Sequence, residues 1–206
     1  MDESRAESQG AAAGVVPEDA ARANLYGLVS RLFYAPPEPN LLAEISRAND
    51  GGKAEEAGGL VLAWRGLQEA CRSAYPALVK QEYDALLVGV GKAQVTPYIS
   101  AYAEPNAPDR YLLRLRQQLA AWGLARRDRV FEVEDHVSGI CDAMRWLIEA
   151  GRALEEQQQF FEDFAYPGVG PFLVAVQNAE ATRFYRPVAA FASSFFEVEK
   201  AAFEME

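Results

Sequence analysis

A single histidine, His136, occurs in the chain of 206 residues, so any acid–base chemistry of an imidazole depends on it. Glu132, Glu134 and Asp135 lie just before it. Two interpretations stay open. Acidic residues are stabilised by the helix dipole in a first turn, so the run is typical of a helix that begins at about residue 134. Alternatively, a carboxylate beside an imidazole forms a small polar site that hydrogen-bonds a bound chain.

Tyr98 and Tyr102 lie four residues apart within residues 89–108, a segment that contains two glycines and three prolines. The prolines exclude a regular helix over the whole segment. An irregular stretch of about 20 residues in a compact domain is often functional. Tyrosines in such a segment either fill the core or contact peptides, because they combine a rigid apolar ring with a polar hydroxyl. The residues alone favour neither role.

The sequence has none of the common catalytic or cofactor motifs. It contains no Walker loop, no glycine-rich dinucleotide loop, no HExxH and no nucleophile elbow. Cys71 and Cys141 lie in apolar, helix-like stretches and are expected to be buried, reduced thiols. Two cysteines and one histidine do not make a convincing zinc site. We therefore expect no enzymatic activity, no metal and no cofactor, with a small hydrolase that uses Asp135 and His136 as a minor alternative.

The chain is acidic, with a formal net charge of −10 and a sequence pI near 4.7. Residues 104–131 carry six arginines and three acidic residues, whereas residues 132–206 carry 14 acidic and five basic residues. An acidic surface repels phosphate groups, so nucleic acids and anionic membranes are poor partners. A cationic peptide is a better one.

Apolar residues repeat with helical spacing along most of the chain, and no useful strand alternation occurs. We expect one all-α domain of about nine or ten helices over residues 17–206, after a flexible tail at residues 1–16. No secretion signal and no membrane-spanning run is found, which predicts a cytoplasmic protein without stable membrane insertion. The predicted helices begin near residues 17, 39, 55, 76, 109, 134, 171 and 182. A further predicted helix holds Phe160, Phe161 and Phe164 and is expected to stop at Pro167-Gly168.

Five segments occur in a familiar order: ARANLYGLVSRLFYAPP, EYDALLVGVG, TPYISAY, EVEDHVSGICDAMRWLI and FYRPVAAFASSFFEVE. With these segments the chain resembles the TorD/DmsD family of redox-enzyme maturation chaperones, also called twin-arginine leader-binding proteins. The resemblance covers about residues 20–199. Its most specific parts are Glu82-Tyr83, Pro97-Tyr98 and Asp135-His136.

The resemblance implies a TorD-like helical fold and a function in the cytoplasm. Members bind the twin-arginine leader and the apo form of a molybdenum-containing oxidoreductase, and hold the enzyme for cofactor insertion before Tat export. A formate dehydrogenase and a DMSO-reductase-type enzyme are candidate clients, the former because of the run at residues 90–92 and the Ala-Pro-Pro after the first helix. The alternative is an assembly factor that acts on the enzyme body without recognising the leader.

The resemblance also implies a leader-binding surface. In the family this surface is lined by the aromatic, proline-containing segment and the Asp-His pair. Carboxylates such as Asp135 would bind the leader's guanidinium groups, and the tyrosines would cover its apolar stretch. The chain is expected as a monomer or as a dimer that exchanges helices through residues 89–108. The implied contacts are Pro97, Tyr98, Tyr102, Glu134, Asp135 and His136.

Overall fold

The computed structural model describes residues 17–49, 58–89, 93–124, 134–180 and 182–205. Within these ranges it contains ten α-helices and no strand, which confirms the all-α prediction and the expected number of helices. None of these helices combines the length and the apolar character needed to cross a lipid bilayer. The helices are α1 (Pro17–Tyr34), α2 (Pro39–Arg47), α3 (Gly59–Arg72), α4 (Pro76–Tyr83), α5 (Ser100–Ala103), α6 (Pro108–Ala121), α7 (Val137–Glu149), α8 (Leu154–Phe160), α9 (Tyr166–Asn178) and α10 (Tyr185–Glu204).

Some sequence-based expectations fall outside the described ranges. They are the tail at residues 1–16, the turn at 50–52, the run at 90–92 and the polar connection at 126–129.

Proline marks the first residue of α1, α2, α4 and α6. The first amide of a helix has no partner in its own helix, so a residue without an N–H costs nothing there. These four helix starts could therefore be predicted from the sequence to within about a residue.

The core forms where α1 packs along α7, and where α10 packs against α3 and α9. Aromatic rings dominate it. Tyr26 of α1 meets Phe195 of α10 edge-on with ring centroids 4.8 Å apart, and Phe33 meets Phe172 of α9 at 5.1 Å. All four side chains are almost fully buried. Burying a side chain of this size contributes about 1.5–3 kcal/mol.

The carboxylate of Glu82 caps the start of α10. Its two oxygens accept three backbone N–H groups, those of Arg183, Phe184 and Tyr185, at 2.8–3.0 Å. The first amides of a helix lack partners within it, and a negative charge there is favoured by the helix dipole. Glu82 therefore fixes α4 to a helix that lies 100 residues further along the chain.

The neighbouring Tyr83 performs the complementary task at the end of α1. Its hydroxyl donates to the carbonyl oxygens of Phe33 and Tyr34, at 3.2 and 2.8 Å. The Glu82-Tyr83 pair thus connects one helix end to one helix start, which gives these two motif residues a structural role.

The predicted helix end at Pro167-Gly168 is wrong. Helix α8 continues through a π-helical segment, Phe161–Ala165, directly into α9. Pro167 is tolerated because it lies in the first turn of α9, immediately after a segment whose hydrogen-bond register is already shifted away from the α-helical pattern. The glycine after it has a packing role at the site.

Candidate peptide-binding site

Residues 96–102 and 134–138 meet in front of α7, and we call this meeting point the crossing. Tyr98 lies opposite His136 in an isolated antiparallel bridge. The crossing brings together all six residues that the sequence analysis singled out. Its two backbone hydrogen bonds run from Ile99 N–H to Asp135 O at 2.8 Å, and from Val137 N–H to Pro97 O at 2.9 Å.

The bridge explains a difference from the sequence-based expectation. Helix α7 begins at Val137, with His136 as its N-cap, and not at about residue 134. The backbone at His136 is not helical, because the residues on either side of it bond Pro97 and Ile99. Glu134 and Asp135 therefore do not occupy the first turn of the helix.

Asp135 is only 3% exposed, and its carboxylate points into the protein. Its Oδ2 atom accepts a hydrogen bond from Ser100 Oγ at 2.5 Å and a weaker one from the Ser100 N–H at 3.4 Å. A buried carboxylate needs such donors, because an unpaired charge in the interior is costly. Asp135 thus fixes the start of α5 to the crossing.

His136 is 2% exposed, and its hydrogen bonds run to Ser138. Nδ1 accepts from the Ser138 N–H at 3.2 Å and lies 2.6 Å from Ser138 Oγ. Because Nδ1 accepts a backbone amide, the proton of the neutral ring belongs on Nε2. The Ser138 hydroxyl thus lies beside the imidazole, while the Asp135 carboxylate accepts from Ser100.

Pro97 is buried, whereas Tyr98 and Tyr102 are half-buried at the outer edge of the crossing. The Tyr98 ring meets His136 edge-on, with ring centroids 5.8 Å apart. The hydroxyl of Tyr102 donates to the Thr96 carbonyl at 2.9 Å, and burial raises the pKa of Tyr102. Both rings are thus held in place by contacts on one side while part of each remains open to solvent.

The acidic side chains around the crossing are paired with arginines of α6. The half-buried Glu134 accepts from Arg116 Nε and Nη2 at 3.1 and 3.0 Å. Glu104 accepts from Arg110 Nε at 2.8 Å and from Arg114, and these arginines lower the pKa of Glu104. A cationic ligand that reaches Glu134 must therefore compete with Arg116.

Two residues that the sequence analysis did not select also hold the crossing in place. Gly168 allows α9 to lie directly on it, because a Cβ atom at this position would be 2.3 Å from Ile99 Cγ2 and 2.7 Å from Ile99 O. Ser100 supplies the donor for Asp135. Neither role could be predicted from the sequence nearby. Gly168 follows a proline, and that pair predicts a helix end, whereas Ser100 bonds Asp135, which lies 35 positions away.

Comparisons with known proteins show the family through a sequence profile and the fold through a solved structure. The sequence profile of the family described as nitrate reductase delta subunit matches residues 53–173, more than half of the chain. The structure is similar to the crystal structure of a proposed redox enzyme maturation protein from Archaeoglobus fulgidus. The TM-score is 0.55 at 20% identity, over 85% of this chain and 93% of that chain. No curated protein sequence matches.

Proposed function

The chain belongs to the nitrate reductase delta subunit family of TorD-type chaperones for redox enzymes, and we propose that it binds the leader peptide of its client. The proposed client is a molybdenum-containing oxidoreductase with a twin-arginine leader. Binding in the cytoplasm holds the apoenzyme until its cofactor is inserted, before Tat export. A formate dehydrogenase or a DMSO-reductase-type enzyme fits this description.

The crossing is the observation that carries this proposal. It presents two half-buried tyrosines, Tyr98 and Tyr102, on a frame fixed by a backbone bridge and by buried hydrogen bonds of Asp135 and His136. Rigid aromatic side chains of this kind bind an apolar peptide stretch at a low cost in conformational entropy. The apolar part of the leader is therefore assigned to the tyrosines.

The charge distribution supports a cationic partner. Residues 132–206 carry 14 acidic and five basic residues. A negative field attracts a leader with paired arginines and speeds its association, and salt weakens this attraction. The buried Asp135 contributes to that field and to the frame of the crossing.

The direct test is a calorimetric titration of the full chain with the twin-arginine leaders of its host's molybdoenzymes. We expect one leader to bind at a single site, and to bind more weakly when its two arginines are replaced by glutamines. If no leader binds the folded protein, leader recognition is refuted. Co-purification with a client that lacks its leader would then favour an assembly factor that acts on the enzyme body.

A further inference from the structure

A shallow cleft lies between the C-terminal end of α6 and the consecutive segments Leu154–Phe160 and Phe161–Ala165, and we call it the α6–α8 cleft. Its volume is ≈ 260 Å³ when the part that is open to solvent is included. Its aromatic lining consists of Trp122, Phe160 and Phe164. The ring centroids of Trp122 and Phe160 are 5.5 Å apart, and those of Phe160 and Phe164 are 5.3 Å apart. Aromatic faces attract cations, and planar guanidinium groups stack on them.

The rim of the cleft supplies hydrogen-bond acceptors. Gln118, Gln159 and the exposed Asp163 line it, and in the described part of the chain no hydrogen bond or ion pair engages their side chains. Glu156 also lines it and accepts from Arg152 at 2.5 Å. No basic side chain is among the lining residues. The rim therefore offers carboxylate and amide oxygens to a ligand that has hydrogen-bond donors.

The charge of this region also matches a cation. Residues 154–165 contain four acidic residues and no basic one. Close to the cleft, the guanidinium carbon of Arg114 lies 5.6 Å from the centroid of the Phe164 ring. One ring of this aromatic cluster thus already packs against a guanidinium group, and the half-buried Trp122 offers the same chemistry inside the cleft. Phe160 is 1% exposed and packs against Trp122 from the protein side.

Helix α6 connects the cleft to the crossing. Arg116 of α6 bonds Glu134 at the crossing, while Trp122 lies at the other end in the cleft. Six residues of helix separate them by about 9 Å. An extended peptide covers that distance in about three residues, at roughly 3.3 Å per residue. Arg114 of the same helix links the two regions directly, because it bonds Glu104, two residues after Tyr102, and its guanidinium group lies against the Phe164 ring of the cleft. A peptide that leaves the crossing along α6 therefore comes to the cleft.

We propose that the α6–α8 cleft binds an arginine side chain of the client's leader. The guanidinium plane stacks on the half-buried Trp122, and its N–H groups donate to Asp163 and to the two glutamines. This assignment rests on the proposed function, and it places the leader's arginine away from the buried Asp135. Because lysine has no planar group to stack, the cleft favours arginine over lysine.

The test uses two neighbouring substitutions that change the net charge equally. Asp163→Asn removes the carboxylate from the rim of the cleft, whereas Glu162→Gln changes an exposed carboxylate that bonds Gln158 and does not line the cleft. Each variant and the wild type are titrated calorimetrically with the leader that binds and with the same peptide carrying glutamines in place of its arginines. Thermal unfolding checks that both variants are folded.

We expect Asp163→Asn to weaken binding of the arginine peptide about 10-fold, as for the loss of a charge-assisted hydrogen bond. Glu162→Gln should stay within about 2-fold of wild type, because a distant exposed charge contributes little. Asp163→Asn should not change binding of the glutamine peptide. The assignment is overturned if both variants weaken the arginine peptide equally, or if Asp163→Asn leaves its binding unchanged while wild type binds. If wild type binds no leader, the proposed function fails and the assignment fails with it.

Discussion

At the scale of single residues, we infer a positioning role for Asp135 and His136 from their burial and their hydrogen bonds. Asp135 and His136 are 3% and 2% exposed, and their hydrogen bonds run to Ser100 and Ser138 inside the protein. From the sequence, the pair was expected to touch the leader directly. That contact stays a prediction, as does contact of the leader with Tyr98 and Tyr102, which are half-buried.

Ser100→Ala tests the positioning role of Asp135. The change removes a hydroxyl donor from a buried carboxylate, so we expect the free energy of unfolding to fall by about 1.5–3 kcal/mol. Urea denaturation measures it. Ser73→Ala is the matched control, because the exposed Ser73 hydroxyl bonds only backbone carbonyls, and it should cost less than about 0.5 kcal/mol. Equal effects of the two changes would refute the role.

Tyr98→Ala tests direct contact with the leader. The bridge at this position uses backbone atoms, so the protein should stay folded while leader affinity falls about 10-fold, or about 1.4 kcal/mol. Calorimetric titration measures the loss. Tyr75→Ala removes a tyrosine that is 73% exposed outside the crossing, and it should leave affinity unchanged. A Tyr98→Ala variant that binds like wild type would exclude Tyr98 as a contact.

At the scale of elements, regular helices could be predicted and the crossing could not. The proline-marked starts of α1, α2, α4 and α6 are local signals, because a missing N–H acts at one position of one helix. The pairing of residues 97–99 with 135–137 joins distant parts of the chain and leaves no periodic pattern. The six site residues were grouped through the family resemblance, and only the structure shows which of them are buried.

Gly168→Ala tests how closely α9 must approach the crossing. A methyl group there would overlap Ile99, so we expect a loss of about 1–3 kcal/mol in unfolding free energy. Gly170→Ala on the same helix is the control. A Cβ at residue 170 meets nothing within 4 Å, so the change should be neutral or stabilise by up to about 1 kcal/mol. If chemical denaturation gives the two variants equal stability, close packing of α9 on the crossing is not required.

At the scale of the whole molecule, the buried thiol and phenol groups make the free energy of unfolding depend on pH in the alkaline range. Burial raises the pKa of Cys71 to about 12, and it also raises the pKa values of Cys141, Tyr26, Tyr111 and Tyr185. The unfolded chain releases these protons at lower pH than the folded chain does. Stability should therefore be complete below about pH 8.5, the ordinary thiol value, and should fall as pH rises toward 12.

We expect the free energy of unfolding to be lower at pH 10.5 than at pH 8, by about 2 kcal/mol for Cys71 alone. Urea titrations at the two pH values measure the difference. Cys71→Ala removes one of the groups, so its stability should fall less steeply with pH than that of wild type. Identical slopes for wild type and Cys71→Ala would show that this thiol does not contribute.

The central claim is that the leader binds at the crossing, and hydrogen–deuterium exchange of the full chain with and without saturating leader tests it most directly. The account predicts slower exchange in peptides that cover residues 96–104 and 134–140, while α3, on another side of the core, is unchanged. A leader that binds tightly yet leaves exchange at both segments unaltered would contradict it.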